Sequence, residues 1–455
     1  MQSMTPLRTA VIGAGWAGCA AAVSLAQAGH AVTLLEAGRT LGGRARRVDL
    51  DGKALDNGQH ILLGAYGASL KMMRSLGIDT DAAMLRVPLQ MRYPPLCGGI
   101  DFIAPHLPAP LHLLFALCKA GGLPRSDKLS LARFFSAMRW IDWRLDQDCN
   151  VLELLQRYDQ SDRLLRYLWR PLCVAALNTP PQRASALVFL AVLRDSLGAR
   201  RSASDMLLPR IDLSALLPQA AADFVVNAGG AVETGAAVRQ IAPASDISGN
   251  NTHWMLHFSN AGDVQRPPLA VDRVVIATAP EQAAALLSAL SDTSALDALR
   301  YEPITTCYLQ YAPATQLPQP FYALPDDAAD AAWGQYVFDR GQLDPAQAGL
   351  LAVVVSSSVE AIVQGATALC SGIAAQLAAA FDRPALAAPL WSKVISEKRA
   401  TFSCTPGLQR PAQRTDAHGI VLAGDYTAGE SDYAYPATLE AAVRSGIAAA
   451  GLVDN

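Results

Sequence analysis

The chain has 455 residues, long enough for two or three domains around a large core. Hydrophobic residues make up 51% and charged residues 17%, a globular composition, and a net charge of −3 excludes charge-driven binding of nucleic acid. Eight cysteines lie scattered with no C-x-x-C pair and no metal-ligand spacing, so the expectation is reduced thiols in a cytoplasmic protein without a metal site.

The opening MQSMTPLRTAVIGAG has no signal-peptide pattern, because its short apolar part runs straight into a glycine loop. TAVIGAG, WAGCAAAVSLAQAG and HAVTLLEA read as strand with glycine turn, helix and strand. Such apolar strands around a helix predict a βαβ unit of a parallel sheet. Within the turn stands Gly13-x-Gly15-x-x-Gly18. The first glycine allows a tight turn, the second lets the backbone approach a pyrophosphate, and the third lets the helix lie against the strand. The helix start then offers N–H groups and a positive dipole end to phosphates. Glu36, ending the second strand, stands where an acid accepts hydrogen bonds from a ribose diol. In the next turn Gly42 and Gly43 let the backbone pass close to a ligand, and Arg44 is suited to fork onto a phosphate. The bland reading of Arg44 is a surface arginine.

DNGQHILLGAY, Asp56 to Tyr66, sets four polar side chains in five residues before an apolar run. A turn accounts for Asp56, Asn57 and Gly58 but has no need of Gln59 and His60. From residue 88 to 202 the pattern is mainly helical and rich in Leu, Arg and Trp. Inside it, Leu107 to Pro124 is largely apolar but is interrupted by prolines, His112 and Lys119, so it lacks the ~18 uninterrupted apolar residues of a membrane span. It reads as a core helix in preference to an interfacial one. AVETGAAVRQI, WMLHFS, VDRVVIATAP, TTCYLQY and LLAVVVSSS read as strands, GIVLAGDY as a strand entering a loop, and PATLEAAVRSGIAAAGL as a closing helix. The expected fold class is α/β, with a nucleotide domain in three segments (1–87, 203–299 and 401–455) and a substrate domain in two (88–202 and 300–400).

Glu36 with Gly42-Gly43-Arg44 resembles the extended FAD fingerprint of the glutathione-reductase-like flavoproteins, in the branch of amine oxidases and phytoene desaturases. The resemblance implies FAD, not NAD, in a Rossmann-like FAD-binding domain of glutathione-reductase type with an inserted α+β substrate domain. It places Gly424 and Asp425 of VLAGDY at the ribityl or phosphate part, and the helix start at Pro436, Ala437 and Thr438 at the flavin ring. It sets the Val238 backbone at adenine, and Gly58, Gln59 and their neighbours along the isoalloxazine. Amine oxidases of this branch keep a lysine near flavin N5, but here no lysine occurs between Lys128 and Lys393. Many carry the flavin on a cysteine, yet the loop Asp425 to Glu430 has none. Amine oxidation is therefore disfavoured and the FAD is expected to be non-covalent. Without a second GxGxxG there is no built-in nicotinamide domain, so electrons come from an external donor.

DNGQHILLGAY, WRPLCVAALNTPPQRASALVFLAVLRDSL, SDMLLPRIDLSALLP and LAGDYTA…YPATLEAAVRSG resemble the hydroxysqualene dehydroxylases, squalene-associated FAD enzymes of hopanoid biosynthesis. The likeness runs from the first strand to the last helix. Two departures are a longer loop, Gly429 to Tyr435, and Ala441 in place of a glycine common in the last helix. The resemblance implies reduction of an allylic C30 alcohol, hydroxysqualene, to squalene by hydride from reduced FAD. The protein must then supply a proton, a dry channel and a positioned flavin. Aromatic candidates for the channel are Trp140, Trp143, Trp169, Phe134, Phe135 and Phe189, though each reads first as ordinary core. His60 can supply the proton, or can be a buried histidine capping a turn. Asn178, in ALNTPP, can point into the cavity. Arg194 and Asp195 read as a helix-surface ion pair, or Asp195 as an acid whose pKa is raised by burial. A bilayer-borne substrate implies peripheral attachment to the cytoplasmic face of the inner membrane, with Leu107 to Leu123 as the contact. Two readings stay open beside this one: a carotenoid-type desaturase using oxidised FAD, and a non-catalytic lipid-binding escort. No residue pattern sets an oligomeric state.

Overall fold

The computed structural model describes residues 6–244, 253–259, 266–429 and 435–454. Its first sheet is five-stranded and parallel, in the order Ala231–Glu233, Ala31–Leu35, Arg8–Ile12, Arg273–Ile276, Ile420–Leu422. Val11, Leu34, Val275 and Val421 pack from these strands onto the helices Trp16–Gln27, Pro218–Asn227 and Leu439–Leu452 on one side. Ile12, Leu35, Ile276 and Leu422 point the other way, so strands covered on both faces give the continuous apolar runs of the sequence. Gly446 lets the last helix lie on the first, because a Cβ there would collide with the Ala17 carbonyl oxygen. AVETGAAVRQI is not one strand. Ala231–Glu233 completes the parallel sheet, and after Gly235, at φ +68°, Val238–Ala244 opens a separate antiparallel sheet with His253–Phe258 and Leu269–Val271.

The second large sheet is antiparallel, in the order Phe321–Ala323, Tyr336–Asp339, Leu350–Ser356, Tyr301–Gln310, Trp391–Phe402. Its side chains alternate between two cores. Cys307 and Leu309 pack with the helix Ala366–Phe381, while Tyr308 faces Leu55 and Leu208. The helical layer holds Leu111–Lys119, Arg125–Trp140, Val151–Arg157, Arg170–Leu177 and Ala186–Leu193. Two π-helical turns interrupt it, Leu165–Trp169 before one helix and Arg194–Gly198 after another.

The segment Leu107–Pro124 is not simply core. Its helix Leu111–Lys119 buries His112 and Ala116 but leaves Leu111, Leu114 and Phe115 exposed, between 44% and 51%. No helix among the described residues is long and apolar enough to cross a membrane.

Candidate active site

One cavity of about 1170 Å³ runs from the glycine turn of the parallel sheet to the helical layer. That exceeds the roughly 300–1,000 Å³ of an ordinary ligand pocket. Its near end is lined by Gly13, Gly15, Glu36, Gly42, Gly43, Arg44 and Val238, and by Gly424, Asp425, Ala437 and Thr438 from the far end of the chain.

The turn geometry explains each glycine. Gly13 sits at φ +102°, and a Cβ there would come within 2.7 Å of the Ala277 carbonyl oxygen. Gly18 is not a cavity residue: a Cβ on it would strike the Gly13 carbonyl, so this glycine serves helix-on-strand packing. Gly15 is different. A Cβ there would meet only the Gly43 Cα, at 3.8 Å, so what it would fill is the cradle itself. Gly15 is also the N-cap of Trp16–Gln27, a helix with no capping side chain and no acid in its first turn. Uncapped N–H groups at the floor of a cavity suit a diphosphate. Glu36 accepts from the Ala14 N–H at 2.9 Å and the Gly38 N–H at 2.8 Å, one on each oxygen. Each oxygen keeps a second lone pair for a ribose hydroxyl. This donor and acceptor set fits FAD.

Arg44 and Asp425 meet across 381 residues of chain. The guanidinium donates to Asp425 Oδ1 at 2.5 Å and to the Ala400 carbonyl at 2.8 Å. Arg44 is thus fixed by protein groups on two of its nitrogens, a tighter placement than the lone phosphate fork expected of it. The arginine Arg410 holds the following loop, donating to the carbonyls of Asp425, Thr427 and Tyr435. Thr438 caps the last helix, its Oγ1 accepting from the Ala441 N–H at 3.1 Å.

The polar cluster at Asp56–His60 resolves into separate tasks. Asp56 Oδ1 accepts from the Leu213 N–H at 2.9 Å. Burial pushes its carboxyl up to about 6, against the pull of that N–H and of Arg340. Asn57 clamps the glycine turn, donating to the Arg44 carbonyl and accepting from the Arg46 N–H. Gln59 lines the cavity, but its amide donates to Tyr308 Oη at 2.9 Å and accepts from Arg340 at 3.2 Å. Asp56 does not line the cavity, and both Asp56 and Gln59 are held by partners far along the chain, while Gln59 keeps a place on the cavity wall. His60 is the exception. Its Nδ1 donates to the Gly58 carbonyl at 3.0 Å, and the ring lines the cavity. Burial, and then the charge of Arg44, lowers its pKa, with the Gly58 carbonyl opposing.

Asn178 also reaches the cavity wall, but every arm of its amide is engaged. Nδ2 donates to the Glu302 carbonyl and Thr401 Oγ1, and Oδ1 accepts from the Ser357 N–H at 2.6 Å. At φ +48° it ends the helix Arg170–Leu177, and these bonds tie that helix end to the antiparallel sheet. Asp195 lies in the π-helical turn and lines the cavity. Oδ1 accepts from Arg194 Nε at 2.8 Å and Oδ2 from Tyr435 Oη at 2.6 Å.

Of the aromatic candidates, Phe135, Trp143 and Trp169 line the cavity. Phe134 and Phe189 are fully buried behind it, packed edge-on or tilted against Trp169, and Trp140 is 89% exposed. The loop Gly429 to Tyr435 is described only at its two ends; residues 430–434 lie outside the described residues. Tyr435 and the arginine beyond it, Arg444, escaped the sequence reading. The one signal for Tyr435 was its place in a segment longer than the family's pattern.

Three kinds of likeness bear on this site. The family model of flavin-containing amine oxidoreductases matches residues 16–454. A hydroxysqualene dehydroxylase of Rhodopseudomonas palustris is 32% identical, covering 97% of this chain and 97% of its own. A probable zeta-carotene desaturase of Synechococcus elongatus is 23% identical over 94% of this chain and 95% of its own. Cyclohexylamine oxidase from Brevibacterium oxydans shares the fold, with a TM-score of 0.69 at 18% identity over 99% of both chains.

Proposed function

We propose, since the chain belongs to the flavin-containing amine oxidoreductases and to their hydroxysqualene dehydroxylase family, that it reductively removes the allylic hydroxyl of hydroxysqualene to give squalene. The observation that carries this reading is the continuity of one cavity from the dinucleotide cradle to a channel lined mainly by apolar and aromatic side chains. A long isoprenoid chain needs such a channel, and a charge-separating step needs it dry.

The cofactor is FAD. Glu36 would hold its adenosine ribose, and the N–H groups at Gly15 its diphosphate. Arg44 and Asp425 would fix the ribityl end, and the start of the last helix at Thr438 would face the ring. Reduced FAD supplies the hydride. The residues do the rest. Hydroxide leaves an allylic carbon poorly, and protonation lets it leave as water. His60 is the proposed source of that proton, at Nε2, because Nδ1 is tied to Gly58. Phe135, Trp143 and Trp169 exclude water and offer ring faces to positive charge developing on the allyl group. The amine-oxidase lysine is missing: the strand Tyr301–Gln310, matched to the one that would carry it, contains no lysine.

Loading occurs from a membrane surface. Leu111, Leu114 and Phe115 are exposed on a helix whose Leu113, Leu114 and Leu117 line the cavity, and Lys119 and Arg125 beside it suit anionic headgroups. Protein reduced with dithionite and given hydroxysqualene should yield squalene on extraction. Recovery of unchanged alcohol alone would defeat the reading, and desaturation of an added polyene by the oxidised protein would favour the carotenoid-type reaction instead.

A further inference from the structure

We propose that Tyr435 and Asp195 form the subsite that takes the substrate's hydroxyl, and that this pair makes the cavity prefer an apolar alcohol over the matching hydrocarbon; the proposal rests on the dehydroxylation reading above. Tyr435 Oη donates to Asp195 Oδ2 at 2.6 Å, and both side chains line the cavity. The residues are 240 positions apart, so the pair exists only because two elements meet there.

Each partner is held from behind. Asp195 stands in the π-helical turn Arg194–Gly198, whose wider backbone re-aims a side chain that an α-helical turn would direct elsewhere. Arg194 Nε fixes its other oxygen at 2.8 Å. The Tyr435 carbonyl accepts from Arg410 at 2.8 Å, and the Arg444 guanidinium stacks 5.1 Å over its ring. Arg444 is in turn paired with the buried Glu440 at 2.7 Å. The pair shares its part of the wall with the apolar side chains of Leu193, Leu197, Leu439 and Ala442 and with Ser196 and Arg444, and a ligand that strips its water without replacing the hydrogen bonds incurs a desolvation cost.

The pair has room for one more partner. A carboxylate has about four acceptor positions and two are taken here; the phenol oxygen keeps its lone pairs. A hydroxyl hydrogen can donate to either. A hydrocarbon of the same length cannot, and entering would strip water from the pair without replacing it. Sites that hydrogen-bond a substrate hydroxyl discriminate strongly against ligands lacking it. Tyr435 also stands three residues before Thr438, the cap of the helix that starts at the expected flavin, so a hydroxyl held here lies on the segment leading to the reacting centre.

The test compares binding of hydroxysqualene and of squalene to the oxidised holoprotein, read from the flavin spectrum, in wild type, Tyr435→Phe and Asp195→Asn. Tyr435→Phe should weaken the alcohol about tenfold and leave squalene within about twofold. Asp195→Asn should shift the alcohol in the same direction, and gives an independent reading if the first variant fails to retain flavin. Alcohol affinity that does not change, or both ligands weakened alike, would overturn the subsite. Turnover separates this from the reaction itself. Wild type that converts hydroxysqualene while the variants show no selective loss removes the subsite alone. Wild type that binds the alcohol through this pair but never converts it removes the reaction and keeps the subsite.

Discussion

His60 and Asp56 sit four residues apart, and burial moves their pKa values in opposite directions. An imidazole loses by carrying its charge away from water and a carboxyl loses by ionising, so His60 falls and Asp56 rises. For His60 the consequence is catalytic. If its protonated form delivers the proton, turnover falls as pH rises through a value below the usual 6.5. A pH profile of single-turnover rate should show that fall with rising pH, and His60→Ala should abolish the fall and most of the rate while keeping FAD. A flat profile in the wild type would remove His60 from the reaction. For Asp56 the consequence is stability. Its folded pKa, about 6, lies above the ordinary 3.8. The stabilisation is thus present below about pH 4 and lost as pH rises through 6; ionising the group in place costs about 3 kcal/mol at most. Asp56→Asn can still accept from the Leu213 N–H. It should unfold at higher urea than wild type at pH 8 and at nearly equal urea at pH 4. A gap that ignores pH would show that the carboxyl is not the cause.

At the scale of elements, local geometry was legible and surroundings were not. The glycine turn could be read because its rules are local: Gly13, Gly15 and Gly18 each answer to the backbone within a few residues or to the adjacent strand. The cluster at Asp56–His60 looked like a site because its polar demand comes from Leu213, Tyr308 and Arg340, which no window of sequence includes. Three of the six aromatic candidates, Phe134, Phe189 and Trp140, miss the cavity for the same kind of reason, while Phe135, Trp143 and Trp169 line it. Trp140 ends its helix facing solvent while Trp143, three residues on, is buried at the cavity. Both π-helical turns were unreadable, since a single widened turn leaves the apolar helical period on either side unchanged in type. The helix Leu111–Lys119 is the sharpest case. Its composition read as core, yet its apolar residues divide between a cavity and the outside. If the outer face meets a bilayer, Leu114→Glu with Phe115→Glu should cut co-flotation with anionic liposomes several-fold and leave bound FAD unchanged. Flotation equal to wild type would move the contact elsewhere.

At the scale of the molecule, the parallel sheet collects strands from residues 8–35, 231–276 and 420–422, and the antiparallel sheet collects residues 301–402 between them. The cavity lies where these parts and the helical layer face one another. The alternation of apolar strands with helices was readable, and with it the α/β class, whereas the strand order was not. The walls were not, because Asp195 meeting Tyr435 and Arg44 meeting Asp425 depend on the finished packing. What the whole arrangement claims is a coupled event: one hydroxyl lost for one reduced flavin consumed, with no nicotinamide taking part. The direct measurement is an anaerobic single turnover, in which dithionite-reduced holoprotein, freed of excess reductant, is mixed with hydroxysqualene and its flavin spectrum followed. The account predicts return of the oxidised flavin band at the rate squalene appears, one molecule per flavin. Flavin that stays reduced while the alcohol is recovered intact would contradict it.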